Sequence, residues 1–267
     1  MPLFPEKRKV FLALVASSLP AIASAEVVIS VVEDGPLPRP IIPLGTLGEE
    51  VADLLGGEFD ISMPAEHRVH GNWTLDGVRA ALASQLADPD VDIIITTGLI
   101  SSHVASEIED LPKPVIATIV ADMQMQDFPA VRSGSSVVSG KRNFVYIARI
   151  RTLESGVEEF AQTNVDEGID LFHDAVEFEH LAILLDALTI ETIPRLAFEK
   201  AASVDQRLGV RSTVVPFEDS IESAVAAIPA DADAVLVGPL LKLSNESMQE
   251  LATAFIERRL PSFALIG

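Results

Sequence analysis

The sequence predicts an α/β protein built as two Rossmann-like lobes, each a parallel sheet flanked by helices. Three observations predict it. Short β-branched runs alternate with amphipathic stretches of roughly 10–15 residues, the pattern of βα units. Hydrophobic residues make up 48% of the chain but aromatics only 5%, so the apolar content is mostly Val, Ile, Leu and Ala, as in strands covered on both faces. Two such βα series are separated by a less regular segment near residues 150–178.

Each element follows from local pattern. Residues 26–33 (EVVISVVE) read as a strand ending at Asp34-Gly35-Pro36. A helix over 44–55 is stopped by Gly56-Gly57, and a short strand over 58–63 is broken by Pro64. Residues 74–87 place Val78, Ala81, Leu82, Gln85 and Leu86 on one helical face. Residues 91–97 are a near-continuous apolar strand, followed by Gly98 and a short helix over 101–109. Residues 114–121 predict a fourth strand. A long polar loop then leads to a fifth over 143–148. Residues 152–177 predict an irregular helix, with Gly156 and Gly168 inside it. The alternation restarts with strands at 180–185, 209–216, 232–237 and 262–266 and helices at 192–204, 220–228 and 245–258. The expected division is a first lobe over 26–150, a helical hinge or crossover over 151–177 and a second lobe over 178–267.

Residues 1–25 read as a cleavable export signal. Glu6-Lys7-Arg8-Lys9 is the charged start, Val10 to Leu19 the apolar core, and Ala23-Ser24-Ala25 the small-residue cleavage site. The core is shorter than the roughly 20 residues of a spanning helix, and Pro20 interrupts it. Cleavage after Ala25 places the protein in the periplasm. The chain has no cysteine, which excludes disulfides and thiolate metal sites. Its net charge is −21 and becomes two units more negative without the signal, which excludes a nucleic-acid partner.

Several landmarks together resemble a known family. Asp34-Gly35-Pro36 closes the first strand, GEFDISMP (57–64) holds the second, and Thr97-Gly98 with Ser101-Ser102 follows the third. Lys113-Pro114-Val115-Ile116 opens the fourth strand, and LAILLDA (181–187) opens the second series. This order is similar to the type I periplasmic binding fold of ABC-transporter substrate-binding proteins. The resemblance implies a small-molecule solute held between the lobes. It also implies a partner in the envelope, an inner-membrane ABC permease or another envelope protein. The family's chain normally returns to the first lobe, so the second lobe is expected to be incomplete at Gly267.

In open parallel sheets ligands sit beyond the carboxyl ends of the strands. That rule selects Asp34 and Gly35, then Thr97, Gly98, Ser101 and Ser102, then Asp122 and Gln124. In the second series it selects Asp186, Phe217 and Gly238. A helix starting after Gly98 offers free N–H groups to a carboxylate or other polar group, with Gly98 permitting a tight turn. The competing readings are that Ser101 or Ser102 only caps that helix, Asp34 is a turn residue, and Phe217 is core.

His67, Arg68 and His70 with Trp73 form a cluster whose loop context argues for stabilisation and against a metal. No metal ligands, cofactor or catalytic residues are expected, because the chain has no P-loop, no G-x-S-x-G, no H-E-x-x-H and no glycine-rich dinucleotide turn. The functional expectation is a periplasmic solute-binding protein of an ABC transport system. Two alternatives stand beside it: a ligand-sensing or envelope and efflux accessory module without transport, and an exported α/β hydrolase.

Overall fold

The first sheet is organised around β1 (Glu26–Glu33), whose last five residues are buried. In the computed structural model, which describes residues 26–38, 44–55, 58–133, 136–146, 149–152, 158–161 and 165–265, β1 pairs in parallel with β4 (Ile93–Thr96) on one side. On the other side β2 (Asp60–Ser62) lies beside its first half and β3 (Arg68–His70) beside its second. The sheet continues through β5 (Val115–Ala117) to β8 (Phe144–Tyr146), all parallel. The export signal expected over 1–25 and the Gly56-Gly57 stop lie outside the described residues.

All four residues of β4 are buried, because both faces of this sheet are covered. On one face α1 (Leu44–Leu55) sets Val51 against Ile29, Ile93 and Ile95. On the other, α2 (Leu75–Ala87) buries Val78, Ala81, Leu82 and Gln85, four of the five positions the periodicity selects. Thr74 caps α2, its hydroxyl accepting from Gly77 N–H at 3.1 Å. α3 (Leu99–Glu107) covers the same face and starts two residues earlier than expected.

The second sheet has the order β12 (Arg211–Phe217), β11 (His180–Asp186), β13 (Ala234–Val237), β14 (Ser262–Ala264), again all parallel. One face is covered by α4 (Val165–Val176) and α6 (Pro194–Leu208) through Ile169, Phe172, Ala201 and Val204. The other is covered by α7 (Ile221–Ala227) and α8 (Asn245–Glu257) through Ala224, Leu251 and Phe255. α6 ends at Gly209, whose φ of 72° is left-handed. A Cβ there meets nothing within 4 Å, so Gly209→Ala carries backbone strain alone. The expected cost is about 1 kcal/mol, read by urea denaturation.

Three segments differ from expectation. The polar loop after β5 contains an antiparallel hairpin, β6 (Ala130–Ser133) with β7 (Ser136–Ser139). The segment 152–177 is not helical throughout: β9 (Arg149–Thr152) pairs antiparallel with β10 (Glu158–Ala161), and among its described residues helix is confined to α4. A short helix, α5 (Ala187–Thr192), follows β11 directly. Asp186 caps it, accepting from Leu188 N–H at 2.9 Å.

The two sheet units touch through this addition. Ile193, between α5 and α6, is only 2% exposed and belongs to the apolar cluster of the first unit, with Leu188 and Leu196 packed against the same cluster. Arg195 beside it bonds Asp127 and the Gln124 carbonyl of the first unit.

Candidate functional site

The carboxyl ends of the first sheet are arranged around Asp34. It follows β1 directly and is 5% exposed. Its carboxylate accepts from Ile100 N–H at 2.9 Å and Ser101 N–H at 2.7 Å, the second and third residues of α3. Gly98 occupies the cap position and has no side chain, so a carboxylate from 64 residues upstream caps the helix in its place. A Cβ on Gly98 would sit 2.1 Å from Asp34 Cγ. Gly98 has φ −116° and ψ 162°, ordinary extended backbone. It is therefore required for this close approach and not for a tight turn. Burial pushes the Asp34 pKa up, while the hydrogen bonds from Ile100 and Ser101 pull it back.

The two serines are spent internally. Ser101 Oγ accepts from Gly98 N–H at 3.2 Å, and Ser102 Oγ pairs with Thr96 Oγ1 at 3.0 Å; both residues are fully buried. Neither is the helix cap. Gly35 is also a packing position, because a Cβ there would lie 2.3 Å from the Trp73 ring. The Trp73 backbone N–H in turn donates to the Asp34 carbonyl at 2.9 Å.

Beyond β4 and β5 lie side chains with unused polar atoms. Thr97 is 8% exposed, and its Oγ1 has no hydrogen-bond partner among the described residues. Asp122 is 7% exposed; Oδ1 accepts from Gln124 N–H at 2.9 Å and Met125 N–H at 3.0 Å, while Oδ2 has no partner. Gln126 is fully buried; Oε1 accepts from Ala121 N–H at 2.8 Å and Asp122 N–H at 3.1 Å, leaving Nε2 unpartnered. Gln124 is exposed, and its carbonyl serves Arg195.

In the second sheet, Asp186 meets Lys242 at 3.3 Å. Lys242 also lies 3.3 Å from Asp219 and 5.2 Å above the Phe217 ring centre. Phe217 is fully buried in the core, and Gly238 packs on Leu185, so these two positions hold the sheet together. Burial pushes the Asp186 pKa up, with Lys242 pulling it down. The folded state therefore keeps this proton to higher pH than the unfolded chain does. The contribution to stability is fully present below the unfolded value near 3.8 and is lost as pH rises through the folded value. Melting curves of Asp186→Asn against the wild type across pH 3–7 are expected to show the variant gaining relative stability as pH rises.

Arg68 pairs with Glu33 through two bonds of 2.8 and 3.0 Å, and His67 Nδ1 lies 3.6 Å from Asp88. Among the described residues no group of three or more His, Asp or Glu side chains is placed to hold a metal. An open groove of about 1020 Å³ lies between α7 and α8, lined by Ile221, Val225, Ile228, Glu257 and Arg258. It includes the carboxyl ends of both helices and thus sits at the opposite end of the sheet from the strand-end cluster. Gln126 and Lys242 carry no motif. They were findable only by following each strand several residues past its end.

No protein-family model matches the chain, and no curated protein matches it by sequence. Solved structures do match. A periplasmic binding protein from Burkholderia mallei superposes with a TM-score of 0.60 at 12% identity, over 91% of this chain and 61% of that one. This chain has the type I periplasmic binding fold. An ABC domain in complex with L-Trp from Streptococcus pneumonia gives a TM-score of 0.58 at 15% identity, over 90% of this chain and 74% of that one. A conserved domain protein from Vibrio cholerae gives 0.57 at 10% identity, over 89% and 73%. Asp34, Thr97 and Asp186 follow or end their strands directly, and Asp122 and Lys242 each lie five residues past a strand end. No helix among the described residues is long and apolar enough to cross a membrane.

Proposed function

We propose that this protein captures a small polar solute between two lobes, residues 26–150 and 178–267, as the periplasmic binding component of an ABC transport system. One observation carries the reading. Among the described residues Thr97 Oγ1, Asp122 Oδ2 and Gln126 Nε2 are buried polar atoms without partners; Thr97 follows β4 directly, and Asp122 and Gln126 lie in the segment after β5. A buried polar group without a partner costs roughly 1–3 kcal/mol, and a solute that bonds to it recovers that cost. The fold supports the same reading, and one structural neighbour is described in complex with L-Trp.

Lys242 and Asp186 supply the facing polar groups from the second lobe. The contacts at Ile193 and Arg195 supply closure, and solute contacts to both lobes add to the closed state. Export through cleavage after Ala25 and recognition by an inner-membrane permease complete the proposed cycle. A thermal-shift screen of a broad metabolite library tests it. At least one solute is expected to raise the melting temperature, with the rise reduced in Thr97→Val. A library that leaves the melting temperature unmoved contradicts it.

A further inference from the structure

We infer that the solute is a protonated amine that carries no carboxylate, a class that deepens, and rests on, the reading of solute capture above. The first line is steric and electrostatic. The amino end of α3 follows β4 directly, and its Ile100 and Ser101 N–H groups are already bonded to Asp34. The approach is so close that even a methyl on Gly98 would overlap Asp34 Cγ. The chain thus fills its own anion site with its own carboxylate, and a solute carboxylate brought there meets like charge and no donors.

The second line is the chemistry left over. Asp122 Oδ2 is an acceptor, nine-tenths buried and unpartnered, and Thr97 Oγ1 beyond the adjacent strand is a hydroxyl in the same condition. An ammonium has three donors and no acceptor, which is the complement of an unpartnered carboxylate oxygen and of a hydroxyl that can accept. Gln126 Nε2 adds a donor that an oxygen or ring face elsewhere on the solute satisfies. The third line is the field. In the second sheet unit Lys242 lies 3.3 Å from both Asp186 and Asp219, two carboxylates to one ammonium, and the chain as a whole carries −21. Both raise the local concentration of cations over anions.

Matched pairs differing only by a carboxylate test this directly: tryptamine against L-tryptophan, ethanolamine against L-serine, and 3-methylbutylamine against L-leucine, with D-ribose as a neutral control. Melting temperature is read on the full chain. At least one amine is expected to raise it, by roughly 5–10 °C at a hundredfold excess over Kd, and its amino acid to raise it far less. Asp122→Asn is expected to remove most of the amine's effect. An amino acid that stabilises as well as its amine overturns the amine class and leaves solute capture standing, as does a response to D-ribose alone. A panel in which every compound is silent also overturns the class, while the library screen decides solute capture separately. An amine effect unchanged in Asp122→Asn overturns the assignment of the site.

Discussion

Gly98→Ala is expected to destabilise the protein by about 3 kcal/mol, although it adds one methyl group and no backbone strain. The added Cβ would lie 2.1 Å from Asp34 Cγ, closer than any real contact, and the neighbour is a buried carboxylate that cannot swing into solvent. Either α3 shifts or Asp34 leaves. If Asp34 leaves, the N–H groups of Ile100 and Ser101 lose their acceptors inside the protein. Chemical denaturation measures the loss. A double-mutant cycle with Asp34→Ala isolates the cause: once the carboxylate is gone the methyl has room, so the double variant should cost about 1–3 kcal/mol less than the two single costs added. Additive costs would show that Gly98 and Asp34 act separately.

Ile193→Ala is expected to cost about 2–5 kcal/mol and to broaden unfolding into two transitions. Ile193 follows the first strand of the second sheet by seven residues, yet its side chain is 2% exposed within the apolar cluster of the first. Removing it opens a cavity where the two sheet units are joined, leaving partly buried Leu188 and Leu196 and the half-exposed Arg195 contacts beside it. Exposed ion pairs contribute little, typically under 1 kcal/mol, so they cannot compensate. Scanning calorimetry reads both effects. Val235→Ala is the comparison, because Val235 packs inside the second sheet's own cluster. It should lower the transition without splitting it.

The parallel sheets were legible because covered strands leave a plain mark. The runs around Ile93–Thr96, Leu181–Leu185 and Ala234–Val237 are apolar without alternation, and each became a strand buried on both faces. The hairpin at 130–139 and the antiparallel pair at 149–161 were not legible, because short polar strands carry too few apolar positions to show a period. For the site, the strand-end rule named Asp34, Thr97 and Asp122. It could not show what each residue touches. The N–H groups beyond Gly98 read from sequence as open to a ligand, and the acceptor that fills them lies in a different strand. Ser101 and Ser102 are likewise consumed by partners close at hand. Lys242 lies five residues past the end of its strand and acquires its role only from the fold that brings it over Phe217.

Solute capture between the two lobes is tested most directly by native mass spectrometry of the protein taken from the periplasm of an expressing cell. A small-molecule adduct is expected that is lost on collisional activation and reduced in Asp122→Asn, while that variant keeps the wild-type fold by circular dichroism. Protein that carries no adduct would contradict solute capture, and an adduct equally abundant in Asp122→Asn would contradict its placement at Asp122.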